Sequence, residues 1–353
     1  MKICIIAFAD LTGTPYLKTY TDIFDKENIK YDVIYWDRKG LNQKLLGGQA
    51  FGYEKKLEEN ELKCKKAIYM IGYSLYVKNI LQHNYYDYVI VLTSLLGILT
   101  SGYLVKRYFK KYIFDIRDYS YEHIYYYKRK MDILMKNSLL NVISSPDFKE
   151  FLPERQAILC HNCNFKEPGL QKFSKRDYPL KIGYVGKIRY KDECQKFLLH
   201  IKNDKRIIFE FYGDGEDENK LKKFCAINNI NNTVFYGKYE AGEKKFILKN
   251  IDIIYNGYGN KLNNVKYALS NKYYDALYYK KPIIVNQGTS MEKLSQGFSY
   301  VIDYEKNIPD TLCSWYEAIS PEQFVETCTK TISSIIKDNE KFEQEILGAL
   351  NQN

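Results

Sequence analysis

Three segments in the second half of the chain carry the residues best suited to chemistry. After the apolar run 181–185 comes Gly186-Lys187-Ile188-Arg189-Tyr190-Lys191, one glycine followed by three cations. A glycine at a strand exit lets a ligand approach the backbone, and the helix predicted next points its partially positive N-terminus the same way. That is a phosphate site in outline. After the run 207–212 comes Gly213-Asp214-Gly215, and after the run 251–255 comes Asn256-Gly257-Tyr258-Gly259-Asn260. Ser270-Asn271-Lys272-Tyr273-Tyr274-Asp275 then opens a helix that ends at Lys280-Lys281-Pro282. A single glycine-flanked turn is common without any ligand. Several exits of one character, beyond the carboxyl ends of parallel strands, predict one shared anionic ligand.

Metal chemistry finds no comparable support. No Asp-x-Asp pair follows an apolar strand, and Asp214-Gly215-Glu216-Asp217-Glu218 reads as a solvated helix start. Cys160-His161-Asn162-Cys163 has CxxC spacing, but Cys194, Cys225 and the remaining histidines supply no second ligand pair. No metal is expected. The eight cysteines lack the dense spacing of a disulfide scaffold, which predicts reduced thiols in a cytoplasmic protein.

The strand exits need parallel sheets to position them. In the first half, apolar runs at 2–8, 31–36, 88–92, 112–116 and 140–144 alternate with helical stretches at 16–28, 67–82, 95–109 and 124–137. The second half repeats the pattern with runs at 181–185, 207–212, 233–236, 251–255 and 282–285. Such alternation is what a parallel sheet with crossover helices requires, so the predicted class is α/β with two doubly wound, Rossmann-like domains facing a cleft. Periodicity is lost between Asn162 and Pro179, and the domains are set at 1–165 and 166–330, with a C-terminal helix 331–353 packing back on the first. The helical pattern 321–350 is expected to break near Asp338-Asn339.

The uncharged stretch 88–105 reaches the lower limit for a membrane span. It also reads as a β-branched and aromatic strand, a Thr93-Ser94 cap and an apolar helix, and with the strand 112–116 it completes a βαβ unit. The second reading is preferred. The start of the chain, Met-Lys followed by a short apolar run, likewise reads as a buried strand and not as an export signal.

With 353 residues the chain is sized for two domains. Its net charge of +10 points to an anionic partner, a nucleotide, a lipid phosphate, a membrane or nucleic acid. Charge does not choose among them, and the abundance of Lys, Asn, Ile and Tyr also fits an AT-rich coding sequence.

The order of these pieces resembles the family 4 glycosyltransferases of bacterial capsule, exopolysaccharide and lipopolysaccharide assembly, whose fold is GT-B. The segment 271–285, Asn-Lys-Tyr-Tyr-Asp-Ala-Leu-Tyr-Tyr-Lys-Lys-Pro-Ile-Ile-Val, resembles the family's donor segment, in which a lysine binds donor phosphate and an acid binds the ribose hydroxyls. Carried over, those roles fall on Lys272 and Asp275. Gly186-Lys187 resembles the family's diphosphate turn, Gly213-Asp214-Gly215 its Gly-x-Gly turn, and Asp115-Ile116-Arg117-Asp118 its Asp-x-(Arg or His)-Asp strand end. The sequence departs from the family at Tyr267, where the first of two spaced glutamates is usual, and at Arg117, where a histidine is frequent.

The resemblance implies transfer of a sugar from a nucleotide donor to a saccharide acceptor, with retention of anomeric configuration and neither metal nor cofactor. A UDP-sugar is the expected donor. The catalytic residues expected are Lys187, Arg189, Lys272 and Asp118, with Gly186, Gly213, Asp214, Gly257, Asn271 and Asp275 binding the donor in the C-terminal domain. The N-terminal domain would hold the acceptor, which the resemblance makes a polyprenyl-diphosphate-linked saccharide, through Arg117 and the loop carrying Gly13 and Thr14. That loop reads equally as an ordinary strand-to-helix connection. The basic and aromatic stretch 106–136 reads either as a seat on an anionic membrane, at the inner face of the plasma membrane, or as a solvated face. Two alternatives stay open: a nucleotide-sugar 2-epimerase, which would need an acid and base set not evident in the second half, and a noncatalytic nucleic-acid binder, whose cations would form a stripe.

Overall fold

The structure, a computed structural model, describes residues 1–14, 16–45, 47–57, 61–169 and 171–351. Two compact units divide the chain: Met1–Asn164 with Lys337–Asn353, and Phe165–Ile336.

The first unit is built on seven parallel strands, β1 (Lys2–Ile6), β2 (Lys30–Asp37), β3 (Ala50–Glu54), β4 (Tyr88–Leu92), β5 (Tyr112–Ile116), β6 (Leu140–Ile143) and β7 (Ile158–Leu159). Their order across the sheet is β3-β2-β1-β4-β5-β6-β7. Helices α1 (Leu17–Lys26), α2 (Lys63–His83), α3 (Ser94–Arg107) and α4 (Tyr125–Asn137) make the crossovers. Central strands read as unbroken apolar runs because both their faces are covered. On one face Ile3, Ile5 and Ala7 pack with Tyr20 and Phe24 of α1. On the other, Trp36 stacks on Tyr73 of α2 at 5.7 Å, and Gly97 of α3 lies so near β5 that a Cβ would come within 2.3 Å of the Phe114 ring.

The second unit repeats the plan with β8 (Leu180–Val185), β9 (Ile207–Tyr212), β10 (Thr233–Gly237), β11 (Ile253–Tyr255), β12 (Ile283–Asn286) and β13 (Ser299–Ile302), in the order β10-β9-β8-β11-β12-β13. Its helices are α5 (Lys191–His200), α6 (Glu218–Ile227), α7 (Lys244–Asn250), α8 (Asn263–Tyr267), α9 (Asn271–Tyr279), α10 (Ser290–Leu294) and α11 (Ile308–Ala318). A final helix, α12 (Pro321–Asn351), belongs to the second unit up to Ile336 and to the first from Lys337 onward. Phe342, Ile346 and Leu350 lie in the core of the first unit beside α1.

The two doubly wound parallel sheets expected from the alternation are present. Strands β3 and β13 were not foreseen, and α12 runs without the break expected at Asp338-Asn339. Those polar side chains are used where they stand: Asn339 Oδ1 accepts from the His161 amide at 2.9 Å, its Nδ2 donates to the Cys163 carbonyl at 3.0 Å, and Asp338 meets His161 Nε2 at 3.4 Å. The stretch 88–105 is strand and helix, and no helix among the described residues is long and apolar enough to cross a membrane. Thr93 does not cap α3 with its side chain. It stands at φ 86°, uncommon for a β-branched residue, and its Oγ1 is buried without a partner.

Candidate functional site

In an open parallel sheet the ligand crevice opens where the strand order reverses. In the second unit that point lies between β8 and β11, so the loops leaving these strands, 186–190 and 256–260, flank it. Both loops are shaped by contacts from below. Tyr184 of β8 turns its hydroxyl back on the first loop, donating towards the Lys187 and Arg189 carbonyls at 3.2 and 3.0 Å and accepting from the Arg189 amide at 3.0 Å. This holds the exposed Lys187 and Arg189 on a fixed backbone.

Lys272, in the first turn of α9, points into the same place and is only 8% exposed. Its ammonium donates to the Tyr258 hydroxyl and lies 4.8 Å from the centre of the Tyr184 ring and 4.9 Å from that of Tyr258. A Cβ on Gly186 would sit 3.7 Å from Lys272 Nζ, so the glycine turn and the buried cation share one corner. Burial pushes the Lys272 ammonium below its ordinary pKa, and the neighbouring Tyr184 and Asp275 offset part of that. No carboxylate pairs with Lys272 among the described residues. Asp275, one turn further along α9, pairs with Lys244 of α7 at 2.7 Å.

Other sequence-predicted residues fall around this corner in different ways. Gly186 and Gly213 both have positive φ, 119° and 133°, and the second glycine turn packs on the first loop: the Gly186 amide donates to the Tyr212 carbonyl and the Ile188 amide to that of Asp214. The Asp214 side chain itself is exposed. Gly257 is buried over the Tyr255 hydroxyl, and Asn271 is exposed at the start of α9. Beside them a cavity of about 110 Å³ is lined by Tyr190, Asn256, Tyr258, Gly259, Ser270 and Asn286, among others. Its polar wall is ordered: Ser270 Oγ donates to Asn256 Oδ1 at 2.7 Å, and the Gly259 amide donates to Asn286 Oδ1 at 2.7 Å.

The first unit reverses strand order between β1 and β4. The loop after β1 makes a tight 3₁₀ turn at Leu11–Gly13, with Thr14 buried and its hydroxyl donating to the Asp10 carbonyl at 3.1 Å. Gly13 is exposed and would accept a Cβ at ordinary contact distance. Arg117 is not a free cation at the strand end. Its guanidinium lies 2.6 Å from Asp115, donates to the Cys160 carbonyl at 3.1 Å and lies 5.1 Å from the centre of the Tyr16 ring. Asp118, next along the chain, is exposed.

Sequence reasoning missed Tyr184, Tyr258 and Lys244 in the second unit. In the first it missed Arg38, whose amide donates to Asp10 at 3.0 Å and whose guanidinium covers Trp36 at 4.6 Å, and Glu122, a buried carboxylate held by the Ser120 amide at 2.5 Å. Among the described residues no cluster of side chains could hold a metal ion.

No family model and no curated protein sequence matches this chain. Solved structures do. The apo form of WaaB, a lipopolysaccharide outer core galactosyltransferase, matches over 99% of this chain and 99% of its own, with a TM-score of 0.68 at 16% identity. HepE from Anabaena, solved with UDP and glucose, matches over 100% of both chains with a TM-score of 0.66 at 14% identity. Sucrose-phosphate synthase from Thermosynechococcus elongatus matches over 99% of this chain and 100% of its own, at 0.73 and 9%. The fold is GT-B. Identities this low carry the fold and not the reaction, which has to be argued from the site.

Proposed function

We propose that the chain is a glycosyltransferase that moves a sugar from a nucleotide donor to a saccharide acceptor. The observation that carries this is Lys272: a buried cation without a carboxylate partner, aimed at the crevice between two glycine-bearing strand exits. A buried charge is costly until an anion joins it. A nucleoside diphosphate supplies that anion, with the backbone amides around Gly186 and the side chains of Lys187 and Arg189 as further donors. Asp275, steadied by Lys244, is the group for the ribose hydroxyls, and Gly213, Asp214, Gly257 and Asn271 complete the donor site.

Little covalent chemistry is asked of the protein. The bond from the anomeric carbon to the diphosphate breaks as the acceptor oxygen bonds to that carbon, and the acceptor's proton leaves. The cations stabilise the charge growing on the diphosphate, and the two substrates are held in register. Asp118, exposed just past the end of β5, is the further catalytic residue of this reading, with Gly13 exposed on the acceptor side; Arg117 and Thr14, both buried, would support that side from beneath. We further propose retention of anomeric configuration, independence of metal and cofactor, a UDP-sugar as donor, and a lipid-linked acceptor of bacterial surface polysaccharide synthesis in the cytoplasm. The galactosyltransferase WaaB, the sucrose-phosphate synthase, and HepE in its complex with UDP and glucose support the reading, since all three share this fold.

The test is a thermal-shift panel of UDP, GDP, CMP, ADP and their sugar conjugates, since a ligand bound only by the folded state raises its stability. A selective shift with one nucleoside diphosphate, lost in Lys272→Ala, is expected. No shift with any of them would overturn the proposal.

A further inference from the structure

Among the described residues, seven buried side-chain polar atoms have no hydrogen-bond partner, and five of them gather at the carboxyl ends of β2, β4 and β5 in the first unit. Two of the five, Asp115 Oδ1 and Arg117 Nε, face each other in the ion pair already described. The other three, Arg38 Nε, Thr93 Oγ1 and Glu122 Oε1, have no such counterpart. A buried polar group left unpaired is costly, so three at the rim where a parallel sheet takes its ligand call for an occupant.

Arg38 is the charged member. It follows β2 with its guanidinium spread over two aromatic rings, 4.6 Å from the centre of Trp36 and 5.0 Å from that of Phe8, and Nη2 donates to the Phe8 carbonyl. Asp10, whose charge acts on it, spends Oδ1 on the Arg38 backbone amide at 3.0 Å. Lys272 can shed its proton to escape burial; a guanidinium cannot. Held flat on the rings, it offers its remaining N–H edge to two oxygens of a phosphate or carboxylate. The surrounding loops are tied in place: Gln43 accepts from the Leu11 amide at 2.7 Å and donates to the Thr12 hydroxyl at 3.0 Å, joining the loop after β2 to the loop after β1.

Thr93 and Glu122 supply the neutral contacts. Thr93 is held at a φ of 86°, the kind of backbone strain that persists where a site requires it. Glu122 is 4% exposed and Oε2 accepts from the Ser120 amide at 2.5 Å; burial raises its carboxyl above the ordinary range, and that amide pulls it partly back. Adjacent strands lie about 4.8 Å apart, so in the order β2-β1-β4-β5 the exits leading to Arg38 and Thr93 stand about 10 Å apart, with that leading to Glu122 about 5 Å further. That is the reach of a saccharide bearing a charged group, and not of a lone ion.

We infer that these strand exits of the first unit form a subsite for an anionic saccharide, with Arg38 holding its phosphate or carboxylate and Thr93 and Glu122 its hydroxyls. The transfer reading enters only in making that saccharide the acceptor.

The protein provides its own reporter. Its two tryptophans are Trp36 and Trp315, so Trp315→Phe leaves the ring under Arg38 as the sole indole. In that background, with Lys272→Met to disable the donor corner, Trp36 fluorescence is titrated with glucose 6-phosphate, glucuronate, glucose and inorganic phosphate, each to about 20 mM. A saturable change with the sugar phosphate or the glucuronate, and none with glucose, is expected, and the one that saturates at the lower concentration tells phosphate from carboxylate. Arg38→Gln should weaken this binding at least about tenfold. Thr93→Val should weaken it about threefold while melting no lower than the parent, because it deletes an unpaired hydroxyl. No response to either anionic sugar, an equal response to glucose, equal affinity for inorganic phosphate, or binding that both variants leave unchanged would overturn the inference. The nucleotide thermal shift, measured on protein that keeps Lys272, reads the donor site separately, so either reading can fall without the other.

Discussion

Gly213 presses against Gly186: a Cβ on Gly213 would lie 2.0 Å from the Gly186 carbonyl oxygen. Gly215 stands in the same relation to the Ile188 carbonyl oxygen, at 2.2 Å. The two glycines of the second turn are therefore required by the packing of one loop on another, with or without a ligand. Gly213→Ala adds this clash to a φ of 133° and should cost about 2 kcal/mol or more, read as a lower melting temperature. Gly102→Ala is the control. It lies inside α3, where a Cβ meets nothing, and should stabilise by about 0.5–1 kcal/mol. Equal melting of both variants would contradict the argument.

Arg117 and Asp115 form a buried pair, and Tyr20 adds its hydroxyl to the same carboxylate at 2.7 Å. Removing the guanidinium leaves a charge in the core. Arg117→Ala should lose on the order of 3–5 kcal/mol of first-unit stability by urea denaturation. Arg117→Lys should recover little, because one ammonium does not reach both Asp115 and the Cys160 carbonyl. A variant as stable as the parent would show the pair to be dispensable.

Lys272→Met removes the buried ammonium and keeps the apolar stem. Affinity for the donor nucleotide should fall on the order of 10- to 100-fold, measured by calorimetry, with little change in melting temperature. Because burial lowers the pKa of this lysine, nucleotide affinity in the parent should decline as pH rises through that lowered value, and the methionine variant should lack this dependence. Undiminished binding by Lys272→Met would remove the main support for the donor site.

Lys281 gives a stability test. Burial, with Arg176 nearby, pushes its ammonium down to about 8, while Nζ donates to the Ile251 carbonyl at 2.6 Å. Between pH 8 and the unfolded lysine value near ~10.4 the unfolded chain holds the extra proton, so stability should rise with pH there. Relative to Lys281→Met, the parent should gain stability across that window and show a flat difference below it. A difference flat across the whole range would show that Lys281 titrates normally.

Buried parallel strands announce themselves as apolar runs, and so β1, β4, β5, β8 and β12 were legible as sequence. The strand β3 has a glycine at its centre, and β13, at the edge of its sheet, opens on a serine and alternates half-buried with buried residues, so it shows no unbroken apolar run. Glycines and cations at the strand exits were legible for the same local reason. Their supports were not: Tyr184 hides inside an apolar run, and Lys244 is one lysine among several in its helix. Only the crossing of α7 and α9 reveals that it meets Asp275. Arg117 was visible as a cation at a strand end, but nothing in its neighbours in sequence told that Cys160 would be its partner.

The shared final helix has a consequence for biosynthesis. The unit that leaves the ribosome first is completed last, since Phe342, Ile346 and Leu350 belong to its core while 165–336 form the other unit without interruption. A nascent chain therefore carries an open hydrophobic groove along α1 throughout the translation of the second unit. Release of the last turns closes it, so a premature stop just past Ile336 would spare the later-made unit and leave the earlier-made one exposed to proteases.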